Sequence, residues 1–386
     1  MENNIVITGI GLISRLGHNV EEFWHNRKSV QTTNFQYKGN TMPIEDFDPK
    51  QFLKRKLIKN LDTVTRYCVA ATGMALEDSK IEIDKSKVGI VAGSVYNGIF
   101  SIFDVKDAYC QGGITNVSPL YFPGTVFNAS AAQAAIEWKV TGPNCTVNSG
   151  TSSGLLAIVK GIQYLQLDKA KAMICGGNEM LFDYIVSNYS FLNQLSPTEE
   201  GFKPFDKNGK GMVLGEGACY FTLEAEKDAY DRGSKIYAKI LNYFQNFNPN
   251  QEDQLSSMEE CILSTVIKEN CDYRNELDLI VVDGNGIPKN DKLIINAIEK
   301  VFNGRTPLLT TNRTSLGNTL GASGAFNLLE GVLSIQNGEV CPLNNTKNPI
   351  HPGIPFVKDV TRKEINKVLI TSFDQNGNNS CILIER

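Results

Sequence analysis

The stretch VNSGTSSGLL, residues 147–156, has the form of a nucleophile turn. A β-branched run ends at Gly150, and an apolar-periodic helix begins just beyond it. Free backbone N–H groups and the positive end of a helix dipole would then face residue 151. A cysteine at that place would be driven toward the thiolate and made a nucleophile. The residue is Thr151, whose hydroxyl stays protonated and needs a base. Ser152 and Ser153 follow, and on this stretch alone the more ordinary reading is that they cap a core helix.

Three more glycine-rich turns carry polar residues: GMVLGEGA (211–218) after KPFDKNGKG (203–211), VVDGNGIPKND (281–291) and TNRTSLGNTLGASGA (311–325). The chain's three histidines, His18, His25 and His351, fall in none of them. His18 and His25 flank an early loop and helix, which points to surface or capping roles. Nine cysteines, at 68, 110, 145, 175, 219, 261, 271, 341 and 381, are scattered without a C-x-x-C pair. That pattern indicates neither a zinc site nor a disulfide framework, and fits reduced thiols in a cytoplasmic protein. No metal and no cofactor are indicated.

Those turns need a scaffold. Strand-like runs at 5–14, 87–95, 144–150 and 171–177, then at 219–224, 236–244, 277–286, 367–377 and 379–385, alternate with helical periodicity. The helical stretches are 62–79, 128–138, 152–166, 257–269, 290–302 and 322–336. The alternation predicts an α/β fold with largely parallel, buried sheets. Segment 184–216 reads as the longest irregular stretch. The 386 residues, 41% hydrophobic and 21% charged, suit two domains or one duplicated unit, here halves 1–225 and 226–386. A net charge of −4 argues against nucleic acid as the main partner. The apolar runs are strand-sized and the first residues lack a basic start, so neither a membrane span nor a signal peptide is expected.

In this order and spacing the four turns resemble those of the β-ketoacyl–carrier-protein synthases of the thiolase fold. The likeness runs from NIVITGIGLISRLG to ITSFDQNGNNSCILIE, essentially the whole chain. It implies duplicated βαβ halves in an α-β-α-β-α layering. Against that family the departures are informative. Active members carry a cysteine where this chain has Thr151, and a histidine where it has Asp283. Their second histidine is matched by Asn318, the lysine of the same motif by Arg313, and the gating phenylalanine of the C-terminal loop by Gln375. The cysteine and both histidines are missing together.

Condensation needs a thiolate to accept the acyl chain and two imidazoles to stabilise the enolate formed as carbon dioxide leaves. Threonine exchanges poorly with thioesters, and an aspartate would put negative charge where negative charge develops. The sequence therefore looks like a chain-length factor, the silent partner of a type II polyketide ketosynthase. That resemblance implies a heterodimer with an active ketosynthase, an acyl carrier protein as further partner, and a polyketide tunnel at the shared interface.

Family likeness points to Tyr96, Ile102, Phe103 and Tyr121 as tunnel residues, with core packing as the ordinary alternative. The basic run KQFLKRKLIKN (50–60) offers Lys54, Arg55, Lys56 and Lys59, with Lys50, for carrier-protein docking; a solvated helix face is the plainer reading. Glu216 in GMVLGEGA reads as a packing element. The rivals are a priming decarboxylase, which would keep the histidines, and a condensing enzyme using Thr151 with Asp283 or using Cys145. A non-enzymatic homodimeric scaffold is the third.

Overall fold

The computed structural model describes residues 4–29, 38–54, 61–197, 201–269 and 271–386. Ten strands form its main sheet: β1 (Ile5–Ile13), β2 (Val88–Gly93), β3 (Asn144–Val147), β4 (Ala172–Glu179), β5 (Gly217–Ala225), β6 (Ala238–Phe247), β7 (Leu279–Val281), β8 (Leu308–Thr310), β9 (Lys367–Phe373) and β10 (Asn378–Glu385). They are ordered β8-β7-β9-β10-β6-β1-β5-β4-β2-β3. The two ends repeat one another. From either edge the first three strands are mutually parallel, and the next two joins are antiparallel. The halves meet where β1 runs antiparallel to β6, Ile5 opposite Ile240.

The expectation of largely parallel sheets is therefore corrected: the outer strands are parallel and the inner ones antiparallel. The apolar runs mislead because helices cover both faces. β1 (IVITGIGLI) is buried at all nine positions, so burial reports the layering and carries no strand direction.

Five layers result. Helix α2 (Thr63–Ser79) lies over β1 and β5 with α4 (Ala129–Trp138) packed beside it. Helices α5 (Ser153–Gln166) and α9 (Ser323–Asn337) pack on each other between the half-sheets. Helices α7 (Gln254–Val266) and α8 (Pro288–Phe302) cover the far side. Three further helices are α1 (Val20–Ser29), α3 (Ile99–Gly112) and α6 (Asp183–Phe191). Asp62 starts α2 by accepting the N–H of Thr65 at 3.0 Å, a standard cap. Gly11 lets α2 lie directly on β1: a Cβ there would sit 2.0 Å from the carbonyl oxygen of Ala71.

Helix α6 falls inside the stretch read as irregular; DYIVSNYSF has too many polar positions to show a clear apolar stripe. His18 is also not a surface residue. Its side chain is 14% exposed, Nε2 lies 3.4 Å from Asp46, and its ring meets Phe47 and Phe52 edge-on. His351 lies 3.1 Å from Glu299. Among the described residues no helix is long and apolar enough to cross a membrane.

Candidate functional site

A cavity of about 220 Å³ opens where the two halves bring their strand ends together. Thr151, Asp283, Asn318 and Gln375 all line it, as does Tyr96. Residues distant in sequence are thus gathered because each follows a strand end or a turn: Thr151 after β3, Asp283 after β7, Gln375 after β9 and Tyr96 after β2.

Thr151 precedes the first turn of α5. Its Oγ1 turns toward Asp374 Oδ2 at 3.4 Å and the Phe373 carbonyl at 3.5 Å, and its backbone N–H donates to Asp374 Oδ2 at 3.1 Å. The expected serine cap is not formed by Ser152. That residue stands at the N-cap, but its hydroxyl is placed to donate to the carbonyls of Ser372 (3.0 Å) and Asn378 (3.1 Å), so it ties α5 to the opposite half. Ser153 Oγ instead accepts the N–H of Ser149 at 2.9 Å and donates to the Gly150 carbonyl at 2.6 Å.

Asp283 is 4% exposed and forms an ion pair with Arg313, which is 2% exposed. Its Oδ2 also accepts from Ser372 Oγ and the Phe373 N–H, both at 3.2 Å. Burial pulls the Arg313 guanidinium down to about 9, still cationic at neutral pH. A second guanidinium nitrogen of Arg313 donates to Asn318 Oδ1 at 2.9 Å and to Ser323 Oγ. Asn318 Oδ1 also accepts the Leu320 N–H at 3.1 Å, while its Nδ2 points at the Met212 sulfur at 3.3 Å. The polar groups of Asp283, Arg313 and Asn318 are thus consumed in holding one another.

Gln375 is exposed, and its carbonyl accepts from Gln254 Nε2 at 2.9 Å. Tyr96 is half-buried beside Tyr189, whose phenol is pushed well above its ordinary range by burial first and by Tyr96 next. The other three tunnel candidates do not line this cavity. Phe103 packs on Tyr184 (4.5 Å between ring centres) and Phe182 (5.5 Å), while Ile102 and Tyr121 are 45% and 48% exposed. Cys145 is half-buried in β3, also away from the cavity lining.

Of the basic run, Lys54 extends into solvent, 83% exposed, 3.6 Å from Glu137; Arg55, Lys56 and Lys59 lie outside the described residues. Glu216 accepts the N–H groups of Ile44 (2.8 Å) and Leu181 (3.0 Å), and burial raises its carboxyl.

Two buried acids stand around the cavity. Glu179 accepts the N–H groups of Val95 (2.7 Å), Tyr96 (3.2 Å) and Gly321 (3.3 Å), and burial pushes it up to about 7. Asp291 does the same for Phe205, Asn285 and Gly286, also raised to about 7 by burial. Sequence reasoning missed Asp374, although it lies in the quoted DQNG motif beside Gln375. Nothing in residue type or spacing shows that the turn after β9 points this carboxylate back at Thr151.

Residues 2–229 match the beta-ketoacyl synthase N-terminal domain and residues 238–347 the C-terminal domain. The 3-oxoacyl-[acyl-carrier-protein] synthase 2 of Coxiella burnetii is 27% identical, aligning over all of this chain and 99% of its own. That of Rhizobium meliloti is 28% identical, covering 99% of this chain and 98% of its own. Among solved structures, the ishigamide ketosynthase/chain length factor superposes with a TM-score of 0.89 at 22% identity, over all of this chain and 99% of that one. A type II polyketide synthase assembly, AntDE:AntF, in which an acyl-carrier protein is in complex with its ketosynthase bound to the hexaketide, gives 0.85 at 18%, again over 100% and 99%. At those identities the superpositions establish the fold, and with both domain matches spanning most of the sequence, this chain belongs to the beta-ketoacyl synthase family.

Proposed function

We propose that this chain is a non-catalytic ketosynthase-like subunit of a type II polyketide synthase, a chain-length factor that pairs with an active ketosynthase and shapes the tunnel holding the growing chain. One observation carries the reading: the carboxylate at the position of a catalytic histidine, Asp283, lines the cavity and is neutralised by the buried Arg313 behind it. A group held this way donates no hydrogen bond to a thioester oxygen and is not free to act as a base.

The nucleophile position supports the same conclusion. Thr151 has no imidazole partner; its hydroxyl faces Asp374 and the Phe373 carbonyl. A carboxylate is a weak base toward an alcohol, and Asp374 would oppose the negative charge that builds on an attacked carbonyl oxygen. With no histidine near the cavity, assisted decarboxylation is disfavoured as well.

A partner is suggested by the surface. Ile102, Ile114, Leu120, Tyr121, Phe122 and Val126 are exposed along one segment, more apolar side chain than an isolated soluble subunit usually presents. In this reading the segment meets the ketosynthase, and Lys54 with its basic neighbours steers the acidic carrier protein.

The test is intact-mass analysis of the chain after incubation with an acylated carrier protein. The proposal expects no acyl adduct on this chain and acylation of the partner ketosynthase in the complex. An acyl group on Thr151 would overturn it.

A further inference from the structure

The turn before α5 is built to receive negative charge. Helix α5 is fourteen residues long and presents its amino end to Thr151. In the turn, Ser152 and Ser153 give their N–H groups to the carbonyls of Ser149 and Gly150. The N–H of Thr151 goes to a side chain instead, Asp374 Oδ2 at 3.1 Å.

Asp374 is 3% exposed and firmly held. Its backbone N–H donates to the Asn378 carbonyl at 2.8 Å, its carbonyl accepts from Gly377 at 3.0 Å, and its Oδ1 accepts the Asn376 N–H at 2.8 Å. The approach to the turn is so close that Gly150 must lack a side chain: it has φ +58°, and a Cβ there would lie 2.1 Å from Asp374 Oδ2. The carboxylate therefore fills the space above residue 150 as well as bonding to residue 151.

We propose that Asp374 is an internal anion seated at this turn, and that it excludes acyl thioester carbonyls and carboxylates from the place a nucleophile would serve. The backbone N–H that would hold a developing oxyanion is already taken. Restoring a cysteine would then leave the turn closed, because the new sulfur would stand where Thr151 Oγ1 now lies, 3.4 Å from Asp374 Oδ2. The other charges at the cavity, Asp283 and Arg313, neutralise one another; Tyr96 and Tyr189 of the lining and the buried acids Glu179 and Asp291 are the further titratable neighbours. The inference rests on reading the cavity as a former acyl site, but its test follows a thiol's reactivity and not product, so either can fail alone.

The experiment compares Thr151→Cys with Thr151→Cys/Asp374→Asn in the full-length protein. Iodoacetamide is the probe: the thiolate sulfur forms the new S–C bond and iodide leaves with the electron pair. Site-resolved mass spectrometry follows residue 151 across pH, with exposed Cys110 as reference and buried Cys68, Cys175 and Cys219 as the check that the fold is intact. A like charge at this range displaces a thiol's pKa by about a unit or more. The single variant should therefore alkylate more slowly than Cys110, and removing the Asp374 charge should accelerate residue 151 about tenfold at pH 7. If the asparagine variant exposes the buried cysteines, Thr151→Cys/Asp374→Gly takes its place. An acceleration of roughly fivefold or more supports the internal anion; a smaller one, with the buried cysteines protected, overturns it.

Discussion

Arg313 and Asp283 form an ion pair that water hardly reaches, with 2% and 4% of their side chains exposed. Asp283 follows β7, and Arg313 begins a short helical turn before α9; the same guanidinium also reaches Asn318 and Ser323. The pair therefore fastens the cavity wall of the second half to the start of a central helix. Breaking such a pair strands a buried charge, whereas replacing both partners with apolar groups of similar size need not cost stability. Arg313→Met should lower unfolding stability by about 3–5 kcal/mol, and Arg313→Met/Asp283→Leu should recover most of it. Urea denaturation measures both. A loss under about 1 kcal/mol in the single variant would show that the pair is not structural.

The tunnel candidates divide by environment. Tyr96 lines the cavity, so Tyr96→Ala should lengthen the product by roughly one two-carbon unit or more while the fold persists. Phe103 rests on Phe182 and Tyr184, so Phe103→Ala should cost about 2–3 kcal/mol of stability. Ile102→Ala and Tyr121→Ala should change stability by less than about 0.5 kcal/mol, yet weaken association with the ketosynthase. Product mass, urea midpoints and binding titrations separate the three outcomes. Unchanged product mass from a well-folded Tyr96→Ala complex would remove Tyr96 from any length-setting role.

Stability should fall between pH 5 and pH 8. Burial raises Glu179 from 4.5 and Asp291 from 3.8, each to about 7. A carboxyl raised on folding binds its proton more tightly in the native state. Its contribution is full below the unfolded value and is lost as pH rises through about 7. The decline should be about 1–3 kcal/mol per group. The carboxyls with lowered values, among them Asp278 and Glu339, lose their contributions only in more acidic solution, outside this window. Urea midpoints at pH 5.5 and pH 8 give the sign, and a midpoint that rises across the window contradicts the assignment.

Made alone, the chain should aggregate or assemble with itself, and co-production with its ketosynthase should yield soluble complex. Exposed Ile114, Leu120 and Phe122 are 75%, 69% and 66% accessible, and β3 leaves the sheet with an open edge, a combination that invites self-association. A monodisperse monomer at micromolar concentration, by light scattering, would count against this.

What the sequence made legible follows from how strongly each element is constrained. Helix α8 buries Ile294, Ile295 and Ile298 at a helical spacing, and β10 carries the apolar run Cys381–Ile384; both stand out in the sequence. Strand direction does not, since a strand covered by helices on both faces is apolar whichever way it runs. The site was legible as a set of positions, and Thr151, Asp283, Asn318 and Gln375 do meet at one cavity. Their bonding was not legible. That Arg313 would neutralise Asp283, or that Asp374 would turn back onto Thr151, depends on how two chain segments more than twenty residues apart, or more than two hundred, are brought together.

The most direct test of the silent-subunit reading is reconstitution of this chain with an intact ketosynthase and its carrier protein, compared with the same complex whose ketosynthase cysteine has been replaced. Product mass is the readout. The account predicts polyketide from the first complex, with a chain length that shifts in Tyr96→Ala, and none from the second. Polyketide made by the second complex, with Thr151 the only residue left at a nucleophile position, would contradict it.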